Sequence, residues 1–262
     1  MALMPIGGYR EGTSLLHRAD ALCKLLGMLF ILAAIILTET LIGYLILSAV
    51  LAGAVFFSGI GFRTALRAVW HLRLFFLLIF LMNAFFHDTG DALWTWWIFR
   101  LSVEGITAGM HVVVRVAMTV LLGQVLCAVT SPLALIDAFE SLLFPLQYLR
   151  IPVQDIAMIL GVSMQFIPIF SEEAEMIRRA QTARGARFES KNLLDKAQSF
   201  LPLAIPIFLS AFRRADELSV AMEARGYHRH SGRIAPKKRR FSVFSVGIIV
   251  FAALLCAAAI PL

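Results

Sequence analysis

Apolar residues in this chain are gathered into blocks long enough to cross a lipid bilayer, and that gathering limits the fold more than any other feature. A spanning helix needs roughly 20 mostly apolar residues, because the bilayer core offers no water to unpaired backbone groups. Five blocks qualify: residues 22–37, 41–60, 74–86, 103–129 and 241–260. The third is short, so it either tilts or begins in the apolar stretch near Trp70. Glu39 and Thr40, in the tight turn between the first two, predict a helical hairpin. The chain is 60% hydrophobic and 16% charged, against about 45–50% and about 25% in soluble domains. A polytopic, all-α membrane protein is expected.

The residues around these blocks give the orientation. Arg10 and Arg18 precede the first block, Lys24 stands at its start, and Arg63, Arg67 and Arg73 separate the second from the third. Between the third and fourth stand Asp88 and Asp91 against Arg100 alone, with Trp94, Trp96, Trp97 and Phe99 as an interfacial aromatic belt. Basic loops face the cytoplasm, so the N-terminus is expected inside and the C-terminus outside. Residues 1–10 have no apolar run before the first charge, so no cleavable signal peptide is expected. Cys23, Cys127 and Cys256 match neither a disulfide framework nor a zinc site and read as small hydrophobes.

This topology leaves residues 131–240 on the cytoplasmic side. The stretch holds 16 of the 24 Lys and Arg and 11 of the 17 Asp and Glu, too long and too charged for a simple connector. It is nonetheless rich in Leu, Ile, Phe and Met, which predicts about three amphipathic helices lying against the membrane. Ser131 with Pro132 caps the first, which continues to about Gln147. Pro152 opens the second, which runs to about Ala183 with a bend at Pro168; the third covers about Lys191 to Ala224, with bends at Pro202 and Pro206. The expected organisation is thus 1–130 with four transmembrane helices, 131–240 as a cytoplasmic helical domain, and 241–262 as a last transmembrane helix.

The second and third of these helices end alike. Ala180-Gln181-Thr182-Ala183-Arg184-Gly185 and Ala221-Met222-Glu223-Ala224-Arg225-Gly226 share the pattern Ala-x-x-Ala-Arg-Gly, 41 residues apart. Each follows an acidic cluster (Glu172, Glu173, Glu175; Asp216, Glu217) and an arginine pair (Arg178-Arg179; Arg213-Arg214). One reading is structural: arginine suits the negative end of a helix dipole, and glycine supplies the left-handed cap. The other is functional. Small residues let a helix end enter a groove closely, and the guanidinium can grip a carboxylate with two hydrogen bonds. Two such ends fit a dimeric partner with one groove per subunit.

These motifs resemble those of the transmembrane T components of energy-coupling factor (ECF) transporters, the EcfT, BioN and CbiQ family. Two Ala-Arg-Gly-type motifs close cytoplasmic coupling helices in that family, in the same order. The opening Ser14-x-x-His17-Arg18-x-Asp20-x-x-x-Lys24, Thr130-Ser131-Pro132, Leu142-Leu143-x-Pro145-Leu146, Phe166-Ile167-Pro168 and Arg214-Ala215-Asp216-Glu217 are similar too. Ala19, Ala21 and Leu22 stand where leucine, proline and arginine are common in the family. The resemblance implies a coupling subunit of an ATP-driven vitamin or metal-ion uptake transporter in a prokaryotic cell membrane. It implies two ATP-binding cassette ATPase subunits and a membrane-embedded substrate-binding S component as partners, beside the bilayer. Arg184 and Arg225 would be the ATPase-docking residues, with Ala183, Gly185, Ala224 and Gly226 shaping the fit. No cofactor and no nucleic acid is implied.

The chain carries no Gly-x-x-x-x-Gly-Lys-Ser/Thr phosphate loop, no His-Glu-x-x-His and no Gly-x-Ser-x-Gly. It is not expected to be an enzyme; a partner would hydrolyse ATP. His228-x-His230 stands among Arg229, Arg233 and Lys237-Lys238-Arg239-Arg240, which reads as a solvated basic loop and lipid anchor rather than a metal site. Glu104 and Arg115, 11 residues apart, share roughly one face of the fourth span and serve either an internal or a partner-facing role. Two rivals stand beside this reading. A permease forming its own substrate path would carry one docking motif per chain. An intramembrane enzyme would need polar groups converging within the membrane, where only Glu104, Arg115, Asn83 and a few hydroxyls are available.

Overall fold

A computed structural model describes residues 9, 12, 14–86, 92–96, 99–149, 151–186, 188, 193–227 and 243–259. Ten helices occur among them: α1 Leu15–Arg18, α2 Ala21–Leu37, α3 Leu41–Ser58, α4 Phe62–His71, α5 Arg73–Phe86, α6 Val103–Val129, α7 Pro132–Leu143, α8 Val153–Ala183, α9 Leu193–Ala224 and α10 Val243–Ala259. The protein is an all-α polytopic membrane protein with one addition. Between α5 and α6, β1 Ala92–Trp96 and β2 Phe99–Ser102 pair antiparallel, placing Trp94 and Trp96 on one strand and Phe99 on the other. Asp88, Asp91, Trp97, Lys191, His228, His230 and Lys237–Arg240 lie outside the described residues, as do Arg10 and most of the first ten positions.

Local signals explain the helix boundaries. Asp20, Thr40, Ser102 and Ser131 each present a side-chain oxygen to a backbone N–H in the first turn of α2, α3, α6 and α7. Pro132 holds the first position of α7, and the helix tightens into a 3₁₀ turn over Phe144–Leu149. Helices α8 and α9 continue through Pro168, Pro202 and Pro206. The third expected span is α5, and the basic stretch before it forms a separate helix, α4, bent by 54° from α5. Buried Ala65 faces the protein, Phe62, Leu66 and Trp70 lie exposed along one side of α4, and Arg63, Arg67 and His71 lie along the next, as on an interfacial helix.

By length and apolarity α3, α6 and α8 each suffice to cross a bilayer, and the bent pair α4 with α5 is long and apolar enough for a broken span or a re-entrant loop. Helices α2 and α10, at 17 residues each, reach about 25 Å and are marginal. Apolarity alone therefore does not separate α8 from the spans.

The chain forms two compact units: Met1–Ala157 with Arg240–Leu262, and Met158–Arg239. In the first, α2 packs on α6, α7 and α10, and α5 packs on α6. Because α7 packs on α2, it belongs to this unit. Ala34, Ile35, Tyr44, Leu47, Leu51, Met118 and Leu122 form one buried cluster, and Val55, Ile60, Ala65, Val125 and Ala128 another. Apolar side chains gain little by leaving lipid, so close fit does the joining. Gly105 and Gly109, spaced Gly-x-x-x-Gly, let α6 approach α5. An added Cβ would stand 3.0 Å from the Ala84 and Asn83 carbonyl oxygens at one and 3.2 Å from the Phe80 oxygen at the other.

Helices α2 and α6 run antiparallel, and each caps the other with a cation. Lys24 Nζ donates to the Val129 carbonyl oxygen at the end of α6 (3.0 Å) and to that of His17 (3.3 Å). Arg115 Nη2 donates to the Thr38 carbonyl oxygen at the end of α2 (3.0 Å) and to the Tyr44 hydroxyl (3.2 Å). Both cations thus meet the negative end of a helix dipole and its unpaired carbonyls. The separations match: 14 residues from Lys24 to Thr38 and 14 from Arg115 to Val129, about 21 Å along each helix. The opening motif feeds the same joint. Ser14 Oγ hydrogen-bonds His17 Nδ1 at 2.6 Å, and the Asp20 N–H donates to Ser245 Oγ of α10 at 3.1 Å.

Candidate functional site

Helix α9 and all of α8 from Met158 onward lie in the unit Met158–Arg239, and the ends of the two helices have the same hydrogen bonds. At the end of α8 the Gly185 N–H donates to the Thr182 carbonyl (3.0 Å) and the Ala186 N–H to that of Gln181 (3.0 Å). At the end of α9 the Gly226 N–H donates to Glu223 (2.9 Å) and the Tyr227 N–H to Met222 (3.0 Å). Every partner is shifted by 41 residues. These are Schellman caps, in which the residue after the helix turns left-handed to bring two N–H groups back onto orphan carbonyls. Gly185 and Gly226 supply that turn at φ +92° and +71°.

Each cap is complete without the arginine side chain. Arg184 and Arg225 are exposed, and neither guanidinium has an ion-pair or hydrogen-bond partner among the described residues. Ala180 and Ala183, with Ala221 and Ala224, are exposed on the same turn as each arginine. The capping rules thus account for the glycines, and among the described residues nothing pairs with the arginine side chains.

The neighbouring charges are occupied. Arg178 grips Glu175 with two hydrogen bonds, at 3.0 and 3.2 Å, and Arg179 lies 3.6 Å from the same carboxylate. The Arg178 hydrogen bond holds the Glu175 carboxyl below its ordinary value. Arg214 of α9 reaches α8 instead, 3.7 Å from Glu173 and over the Phe170 ring at 5.9 Å. A groove of about 560 Å³ opens beside this contact, lined by Phe166 and Phe170 of α8 and by Leu218, Met222 and Tyr227 around the end of α9.

Of the two charges singled out in the fourth span, Glu104 sits exposed in the first turn of α6, where an acid suits the helix dipole. Arg115 is half-buried against the α2–α3 turn, its Nε without a partner. The structure does not bring the two together. Lys24 is the more buried cation, and its signals in the sequence were its place at the edge of an apolar block and at the close of the opening motif.

A helical membrane protein carrying two matched, arginine-bearing helix ends is the class that fold and site define. The family described as cobalt transport protein, CbiQ, matches residues 12–235, which include both ends. Similar proteins are the energy-coupling factor transporter transmembrane proteins EcfT of Ruminiclostridium cellulolyticum, Bacillus subtilis and Lactococcus lactis subsp. cremoris. The first is 38% identical over 241 residues, 92% of this chain and 90% of that protein. The second is 34% identical over 260 residues, 97% and 98% of the two chains. The third is 33% identical over 259 residues, 97% of each. The chain belongs to the CbiQ family of transmembrane transport proteins.

Proposed function

We propose that this chain is the membrane coupling subunit of an ATP-driven ECF-type transporter that takes up a micronutrient, a vitamin or a metal ion. The observation that carries the reading is the pair of identically capped helix ends, each with an exposed guanidinium that has no partner among the described residues. A partner carboxylate is the natural complement of such a group. Two equal ends suit a pair of ATP-binding cassette ATPase subunits with one groove each. Arg184 and Arg225 enter those grooves, Ala183 and Ala224 allow close approach, and Gly185 and Gly226 end the helices without bulk.

The N-terminus and residues 131–240 lie on the cytoplasmic side of a prokaryotic cell membrane in this reading, supported by the gathering of Arg18, Lys24, Arg63, Arg67 and Arg73 at the same set of helix ends. The chain hydrolyses nothing. Closure of the ATPase pair on ATP draws the two ends together, the movement passes along α8 and α9, and a membrane-embedded S component, which selects the substrate, is reoriented. Hydrolysis resets the assembly. Native mass spectrometry of the copurified complex tests this: two ATPase subunits and one S component per chain are expected. A stable complex with one ATPase, or with two copies of this chain forming a substrate path, refutes it.

A further inference from the structure

A recess of about 350 Å³ opens on the surface of the membrane unit, between α3, α4 and α6. Buried Leu51, Val55 and Met118 form its floor, and exposed Ala52, Phe62 and Leu66 form its rim. Ser48 is the one polar side chain among its lining residues, and its hydroxyl already donates to the Leu45 carbonyl at 2.8 Å. An apolar hollow with no free hydrogen-bonding group does not hold water. Left empty beside fluid hydrocarbon, its walls would forfeit their dispersion contacts. Ser48 stands 10 residues before Ser58, the last residue of α3, which is about 15 Å, or half a hydrocarbon core. The recess therefore runs from the membrane surface, where α4 lies, to about the middle of the bilayer. That is the reach of one acyl chain.

The mouth of the recess is charged. Arg63 follows Phe62 and Arg67 follows Leu66, so each arginine stands beside a rim residue, the two about one turn apart. Both are exposed, and neither has an ion-pair partner among the described residues. Helix α4 is also fixed over the recess, because Gln124 Nε2 of α6 donates to the Thr64 carbonyl at 3.2 Å. Positive charge at a membrane surface is ordinary; positive charge held over a chain-sized hollow selects a ligand. We propose that this recess binds one anionic glycerophospholipid, its phosphate between Arg63 and Arg67 and one acyl chain in the hollow between α3 and α6. The site is separate from the arginine-bearing helix ends and does not rest on the docking reading.

Native mass spectrometry of the full chain, delipidated in detergent and titrated with phosphatidylglycerol or phosphatidylcholine of the same chains, tests this. One phosphatidylglycerol is expected to bind about thirtyfold more tightly than phosphatidylcholine, the scale of two arginines at a lipid surface. Arg63→Gln combined with Arg67→Gln is expected to erase that preference. Ala52→Phe and, independently, Ala49→Phe bring a ring into the hollow from exposed positions on α3. Each should weaken both lipids about tenfold, the scale of two displaced methylenes, while helical circular dichroism and the unfolding midpoint stay unchanged. Equal binding of the two lipids by wild type overturns the proposal. So does lipid binding that survives both ring substitutions, because the arginines are then a surface patch with no site beneath them. If the ring substitutions leave lipid binding unchanged and instead release the S component from the copurified complex, the hollow holds a partner's helix and not a lipid chain.

Discussion

Replacing Lys24 by methionine is expected to destabilise the membrane unit more than replacing Arg115, although arginine makes the more versatile contacts. Lys24 is 8% exposed and gives a charged hydrogen bond to the Val129 carbonyl at the end of α6. Such a bond is worth about 1.5–3 kcal/mol, and a buried carbonyl left unpaired costs a similar amount. Loss of about 2–3 kcal/mol follows for Lys24→Met. Arg115→Met removes the bond to the Thr38 carbonyl, but that oxygen still accepts the Tyr44 hydroxyl at 2.9 Å. The substitution also removes a buried Nε that has no partner. With the Thr38 oxygen still satisfied no unpaired-carbonyl cost is added, so about 1.5 kcal/mol, the lower end of the same range, is expected. Reversible unfolding in mixed micelles, titrated with sodium dodecyl sulfate, gives both values on one scale. If Arg115→Met costs as much as Lys24→Met, or if Lys24→Met is neutral, the reciprocal capping of α2 and α6 is not what holds them.

The glycines provide sharper contrasts. Gly185→Ala and Gly226→Ala should each cost about 1 kcal/mol, because alanine resists the left-handed turn, and amide exchange should quicken in the last turn of α8 or α9. Arg184→Ala and Arg225→Ala should leave that exchange unchanged, since each cap closes without the guanidinium. Gly105→Ala places a methyl 3.0 Å from two backbone oxygens of α5 and should cost about 1–3 kcal/mol as overpacking. Gly123→Ala meets nothing within 4 Å and should gain about 0.5–1 kcal/mol from helix propensity; thermal denaturation in detergent orders the pair.

Much of this was legible in the sequence because it depends on local rules. Ser131-Pro132 starts α7 as such a pair should, and the glycines that end α8 and α9 take the conformation their pattern predicts. What the sequence could not supply was partners. Lys24 looked like a charge at the edge of a span, and only tertiary contact makes it the cap of a helix end 105 residues away. Arg213-Arg214 matched Arg178-Arg179 as a pair, yet Arg178 and Arg179 turn to their own helix while Arg214 crosses to another. The third span was legible, since α5 begins at Arg73 beside the expected start at 74. Helix α4 was not, because the arginines of residues 62–71 stand out as a basic loop although apolar and basic residues recur there at helical spacing. The hairpin between α5 and α6 was hidden because aromatic residues suit a strand and a membrane surface equally.

The central claim is that the two arginines serve a partner and not the fold. Copurification of the ATPase pair with wild type, Arg184→Glu, Arg225→Glu and the double variant tests it most directly. Each single reversal should weaken retention of the ATPases and the double should abolish it, while the monodisperse chain keeps its helical circular dichroism and its unfolding midpoint. If the double variant holds both ATPases and supports uptake as wild type does, the arginines are ornaments of two helix caps and the coupling account fails.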